Sequence, residues 1–153
     1  MFPSALQELI DLFEHLPEPE RRENLIDIAE TAISHTRQAG VDYEIADVRK
    51  DQECSDTVGV YVRRDDSGQV FFAIELGPKV QTLTRAMTAI LCRGLNGSTP
   101  DQILHVPQDF VPRIIGADLV RLRSQTVYYV LNRMKQAVGK LMPAAPSAIP
   151  STK

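Results

Sequence analysis

The sequence predicts an α+β domain in which long helices pack on a small antiparallel sheet. Three observations carry this expectation. Apolar residues fall at helical spacing up to about residue 40, the period changes to two from Val58, and helical spacing returns from Val80. The 153 residues, 43% hydrophobic and 24% charged, suit one globular domain able to bury a real core. We place that domain at residues 1–142. The stretch 143–153, rich in Pro, Ala and Ser, is expected to be a disordered tail.

Leu6, Leu9, Ile10 and Phe13 form the apolar stripe of a first helix, which ends at Pro17-Glu18-Pro19. A second helix starts there, because proline is tolerated in a first turn. Leu25, Ile28, Ala29, Ala32 and Ile33 make its buried face, with Gly40 as the stop. Ile45 and Val48 fit a short strand, although the period is weak. Val58, Val60 and Val62, then Val70, Phe72 and Ile74, alternate on either side of Asp65-Asp66-Ser67-Gly68. Turn chemistry between alternating runs predicts a hairpin of Val58–Arg63 and Gln69–Ile74, closed by Gly77-Pro78. Val80, Leu83, Met87, Ile90 and Leu91 mark a third helix ending near Asn96-Gly97, after which Ser98 or Thr99 can cap a short helix at Pro100. A turn-rich piece with Pro107, Pro112 and Gly116 leads to the last amphipathic helix, striped by Val127, Val130, Leu131, Met134, Val138 and Leu141.

Several function classes are disfavoured at once. A net charge of −3 gives no general reason to expect binding to nucleic acid or to an anionic membrane. No run approaches the roughly 20 apolar residues of a membrane span. Met1-Phe2-Pro3-Ser4 does not read as a secretory signal, so the expected compartment is the cytoplasm. His15, His35 and His105 are neither at i, i+4 nor near a cysteine pair, and no metal site is expected. Glycine-rich phosphate loops and a Gly-x-Ser-x-Gly nucleophile motif are missing from the sequence.

One residue stands out against this background. Cys54 lies in Asp51-Gln52-Glu53-Cys54-Ser55-Asp56-Thr57-Val58, a polar segment just ahead of the alternating run. Acidic and hydroxylic neighbours argue for a thiol within reach of solvent, although most cysteines are small buried hydrophobes. With no second cysteine nearby, the pattern suits a nucleophile, a carrier or a sensor rather than a Cys-x-x-Cys pair. Cys92 falls inside the third helix beside Leu91 and is expected to be buried. Asp51, Glu53 and Asp56 work against a thiolate by like-charge repulsion, so a working Cys54 needs a cation or helix terminus from elsewhere. Arg121 is read as a solvated charge. Arg123, which precedes the last helix, is a candidate for loop or thiolate support, with a surface ion pair as the equal alternative.

In order and spacing, these segments resemble the SufE-type cysteine-desulfuration family, sulfur acceptors of iron–sulfur cluster assembly. The family pattern Gly-Cys-x-Ser-x-Val-Trp before a hairpin is similar to Glu53-Cys54-Ser55-Asp56-Thr57-Val58-Gly59, with Gly68 as the hairpin glycine. Arg85-Ala86-Met87 stands at the family's Lys-Gly-Leu-like step. Gly97-Ser98-Thr99-Pro100-Asp101-Gln102-Ile103 resembles its Thr-Pro helix start, and Leu122-Arg123-Ser124-Gln125 its Arg-x-(Asn/Gln) element. The resemblance runs from about Leu6 to Leu141. It departs at Glu53, where glycine is usual and the loop would rearrange more easily, at Asp56, where the serine two after the cysteine is missing, and at Gly59, where an aromatic residue normally packs beneath the loop.

The resemblance implies a sulfur-transfer accessory protein rather than a stand-alone enzyme. Cys54 would accept persulfide sulfur from a cysteine desulfurase, stimulate it, and pass the sulfur to downstream iron–sulfur scaffold proteins. No cofactor is implied for this chain, since pyridoxal phosphate belongs to the desulfurase. Two other classes remain: a scaffold or regulator of a desulfurase that carries no sulfur, favoured by Glu53 and Gly59, and a thiol redox sensor in which Cys54 pairs with Cys92. Homodimer formation, the partner desulfurase and the next sulfur acceptor are left open by the sequence.

Overall fold

The structure is a computed structural model and describes residues 2–141, so the expected tail lies outside the described residues. Helices α1 (Ser4–Glu14) and α2 (Glu18–Glu30) come first, followed by a 3₁₀ turn at Thr31–His35. Strands β1 (Ile45–Arg49), β2 (Val58–Arg64) and β3 (Val70–Leu76) form one antiparallel sheet in that order. Then come α3 (Thr82–Leu95), α4 (Pro100–Leu104), α5 (Val111–Ile115), α6 (Ala117–Leu122) and α7 (Ser124–Gly139). The α+β expectation is met.

The hairpin forms where alternation predicts it, with each strand running one or two residues further. Its turn is built by Asp65, whose Oδ1 accepts from the backbone N–H groups of Ser67 and Gln69 at 3.0 and 2.9 Å. Gly68 closes the turn at φ 86°, a left-handed conformation that favours glycine. Val58, Val60 and Val62 are fully buried, as are Met87, Ile90 and Leu91 of α3. Helix α3 is the central element, packed by α1, α2 and α7 and reaching β3. Asn96, just past its end, ties it to the sheet by accepting from the Phe72 N–H at 2.9 Å. Thr99, not Ser98, caps α4, in a reciprocal box with Gln102.

Two sequence expectations need correction. The second helix does not carry its face through Ile33, because the chain tightens into a 3₁₀ turn after Glu30 and leaves Ile33 78% exposed. A 3₁₀ turn advances 120° per residue instead of 100°, so the apolar phase slips while Ala32 stays inside. The turn-rich piece before the last helix is also more ordered than expected, since it contains α5 and α6.

Strand β1 explains its own weak pattern. Asp47 pairs with Val60 and Ile45 with Val62, so the residues facing the helices are Ile45, Asp47 and Arg49. An inward face carrying an acid and a base does not read as an apolar alternation.

Candidate functional site

Cys54 sits in the connection between β1 and β2, ahead of the hairpin, as expected. Its exposure is not as expected: the residue is only 7% accessible and belongs to the hydrophobic core cluster. Asp51, Ser55 and Asp56 are held by partners on either side and Glu53 faces solvent, while the thiol turns underneath. A tight turn, with the Cys54 N–H donating to the Asp51 carbonyl at 3.1 Å, sets that direction.

The loop is clamped on both sides of the cysteine. After it, the Ser55 hydroxyl donates to the Lys79 carbonyl at 2.7 Å, and the Asp56 carboxylate accepts from the N–H groups of Lys79 and Thr57 at 2.8 and 2.7 Å. Those N–H bonds hold the Asp56 carboxyl below the usual aspartate range, that of Lys79 having the largest effect. The backbone must come very close for this. A Cβ at Gly77 would lie 2.4–2.6 Å from the Asp56 carboxylate, so any larger residue there has to displace it. Arg85 braces the same turn, donating to the carbonyls of Val80 and Gly77 at 3.1 and 3.0 Å.

Before the cysteine, Asp51 takes the Arg49 Nε–H at 2.9 Å and the Tyr129 hydroxyl at 2.9 Å. Arg49, first, and Tyr129 hold the Asp51 carboxyl below its ordinary value. Burial and the neighbouring Asp51 carboxylate push the Tyr129 phenol up to about 12. Beneath them lies Arg133, 1% exposed. It donates to the Tyr129 hydroxyl at 2.5 Å and to the carbonyls of Asp47 and Val58 at 2.7 and 2.8 Å. Its guanidinium also lies 3.6 Å from the Asp47 carboxylate and 3.7 Å from that of Asp51. Arg133 thus fastens α7 to β1 and β2 at the two roots of the cysteine loop. Sequence reading missed it, although an arginine three residues after Val130 and four before Ala137, both buried, falls on the inner face of α7.

Arg123 occupies a different place. It is exposed, precedes α7, and shares a groove of about 480 Å³ with Leu25, Ile26, Thr82, Leu83 and Leu119. Its neighbours Ser124 and Gln125 line another cleft together with Asp51 and Glu53. The Arg-Ser-Gln element therefore straddles two surfaces. Its last two members share the cleft of the cysteine loop, while Arg123 lines the groove at the start of α3 with Gln81 and Thr82. Arg121 pairs with the exposed Asp118, a solvated charge as expected.

Gly59 also reads differently in three dimensions. A Cβ there would lie 3.1 Å from Tyr61 Cε2 and 3.2 Å from Val48 Cγ2. Tyr61, two residues along the strand, lays its ring over the glycine and supplies aromatic cover. Cys92 is fully buried in α3, and burial pushes its thiol up to about 12. Both cysteines are free. Among the described residues no cluster of three or more His, Cys, Asp or Glu side chains is placed to hold a metal ion, and no helix is long and apolar enough to cross a membrane.

Comparisons with known proteins agree with this architecture. The chain superposes on the solution structure of a hypothetical protein from Thermus thermophilus with a TM-score of 0.71 and 24% identity, covering 92% of this chain and 97% of that one. The N-terminal part of a nitrogen-fixing NifU-like protein from Brucella abortus matches less closely, at a TM-score of 0.55 and 20% identity over 77% of this chain and 93% of that one. Both likenesses concern the fold. No curated protein matches the chain. The family model SufE, described as an Fe-S metabolism associated domain, matches residues 7–138. With that match spanning nearly all of the described fold, the chain belongs to the SufE family.

Proposed function

We propose that Cys54 accepts sulfur from a cysteine desulfurase, stimulating that enzyme, and hands the sulfur to iron–sulfur scaffold proteins in the cytoplasm. The observation that carries this reading is the position of the lone loop thiol, held under a flap whose outer fastenings are exposed hydrogen bonds. Ser55 and Asp56 bind only the backbone of the 77–79 turn and of Thr57, and a partner that satisfies those groups can lift the flap. The other cysteine is unsuited to the work, since a thiol pushed up to about 12 stays protonated at neutral pH. The same property makes it a poor resolving partner in a redox sensor.

The transfer itself is thiol exchange. The Cys54 thiolate attacks the terminal sulfur of the desulfurase persulfide, the old S–S bond breaks as the new one forms, and the desulfurase thiolate leaves with the electron pair. No net oxidation occurs. Pyridoxal phosphate, on the desulfurase, supplies the earlier step that strips sulfur from cysteine. Arg123 acts in this reading from the far side of the 77–82 turn, steadying the surface on which the flap closes.

Mass spectrometry after incubation with a desulfurase and cysteine tests the proposal. One sulfur should be added at Cys54 in the wild type and none in Cys54→Ser or Cys54→Ala. The depth of Cys54 favours a second reading, a scaffold that binds the desulfurase without carrying sulfur. A wild-type protein that binds and stimulates yet gains no sulfur would select it.

A further inference from the structure

At the hairpin end of the sheet, about 17 Å along β2 from the root of the cysteine loop, a small cavity is built against the outer face. Its volume of about 150 Å³ suits a few waters or one small ion. The chain from Ser34 to Tyr43 forms one side, and Arg63 of β2, Phe71 of β3 and Asn96, just past α3, form the others. Arg63 makes no ion pair or hydrogen bond among the described residues. Its guanidinium lies over the Phe71 ring instead, 4.7 Å from the centroid, and is half-buried there. Among the described residues no carboxylate lines the cavity. The acids nearby are engaged elsewhere: Glu44 by Arg64, Glu75 by Arg37, and Asp65, which feels the Arg63 charge, by the hairpin turn.

The half-buried polar groups around the cavity are donors in surplus. Asn96 gives its Oδ1 to the Phe72 N–H, so its NH2 is turned away from β3 and has no partner among the described residues. The Tyr43 hydroxyl accepts from the Gln38 N–H and its own proton is uncommitted among the same residues. Burial, and then the charge of Arg93, hold the His35 pKa below the usual histidine range, so its ring is neutral at pH 7 and has one N–H to give. Three of these groups are fixed by contacts that need no ligand: Arg63 by Phe71, Asn96 by Phe72, and Tyr43 by its tilted packing on Tyr61 at 5.6 Å. Fixed donors around an unpaired guanidinium, with no acid among them, are the complement of an anion.

We propose that this cavity binds one small tetrahedral oxyanion of the phosphate class, with the Arg63 fork, the Asn96 amide and the Tyr43 hydroxyl donating to its oxygens. The donors come from β2, from the end of α3 and from the 34–43 segment, so they converge from several sides, as a tetrahedral ion requires and a planar carboxylate does not. The bound ion joins the segment that leads from the helical half of the chain into β1 to two elements of the core. It therefore stabilises the folded chain by mass action. Lying at the far end of the sheet, the site is independent of sulfur transfer at Cys54.

The test titrates the full chain with inorganic phosphate, against chloride at constant ionic strength, and follows it by NMR. Phosphate should shift the Asn96 side-chain amide and the His35 ring resonances to saturation. It should also raise the His35 pKa, because an adjacent anion favours the imidazolium. The exposed His15 and His105 should not follow. Arg63→Gln should weaken binding about ten-fold, the size of one charge-assisted hydrogen bond, and Arg63→Lys, which keeps the charge and loses the fork, should weaken it less. Arg121→Gln, which removes an exposed charge paired with Asp118, should leave binding unchanged. Methyl phosphate separates the sources: binding like phosphate assigns a phosphorylated compound, and exclusion assigns the free ion, either result supporting the site. Shifts that rise without saturation, equal movement of all three histidines, or undiminished binding by Arg63→Gln would each overturn the proposal.

Discussion

At the scale of single residues, the two cysteines divide sharply by environment. Cys92→Ser should cost about 1–3 kcal/mol in chemical denaturation, because a hydroxyl among apolar neighbours has lost water and gained no partner. Cys54→Ala is the better control for transfer, since Cys54 is also covered and Cys54→Ser would add a hydroxyl beneath the flap. Asp56 is the residue whose removal should loosen that cover. Asp56→Asn and Gly77→Ala should both speed alkylation of Cys54, the first by weakening the acceptor and the second by driving a methyl group into the carboxylate. Acid should loosen the same cover. The folded Asp56 carboxyl lies below its unfolded value, so its contribution is complete at neutral pH and fades as pH drops below about 3.9. Protection of the Lys79 and Thr57 amides against hydrogen exchange, taken relative to their intrinsic rates, should fall over that window, and unchanged protection would show that the carboxylate does not fasten the loop. The cysteine's importance was legible from its polar neighbours. Its burial was not, because those neighbours are satisfied by a turn remote in sequence.

At the scale of elements, the decisive contact joins α7 to β1 and β2 through Arg133. Arg133→Met should remove about 3 kcal/mol of stability in urea denaturation, the lower end for breaking a buried pair, since Asp47 keeps Arg49 and Lys140. An unaltered midpoint would mean that the guanidinium merely fills space. Long, strongly patterned elements were readable from sequence: α1, α3, α7 and the β2–β3 hairpin each bury one consistent apolar face. Strand β1 was faint because its inner face is polar, and Asp47 makes sense only once Arg133 stands opposite. The 3₁₀ turn at Thr31–His35 escaped because the apolar periodicity of α2 runs on through Ala32, and a change of pitch leaves no mark in composition. Arg123 shows the limit of motif reasoning in another way. A three-residue element can be near a loop while its charged member faces a different groove.

At the scale of the whole molecule, the cysteine loop bridges two bodies, the β1–β2–α7 junction on one side and the β3–α3 turn on the other. The Asp51 anchor draws on the buried Arg133, whereas the Ser55 and Asp56 anchor is exposed. The weaker side should open first, so crosslinking Asp51 to α7 should leave sulfur acceptance intact and crosslinking Asp56 to the 77–79 turn should abolish it.

The same depth of burial bears on what happens after loading. A sulfur atom added to Cys54 has to be housed where the residue is already buried, at 7% accessibility. Overfilling a packed interior costs about 1–3 kcal/mol, enough to hold the flap ajar. Empty and charged forms would then have different outlines, and an acceptor that grips the opened flap could tell a full carrier from a spent one without sensing the sulfur itself.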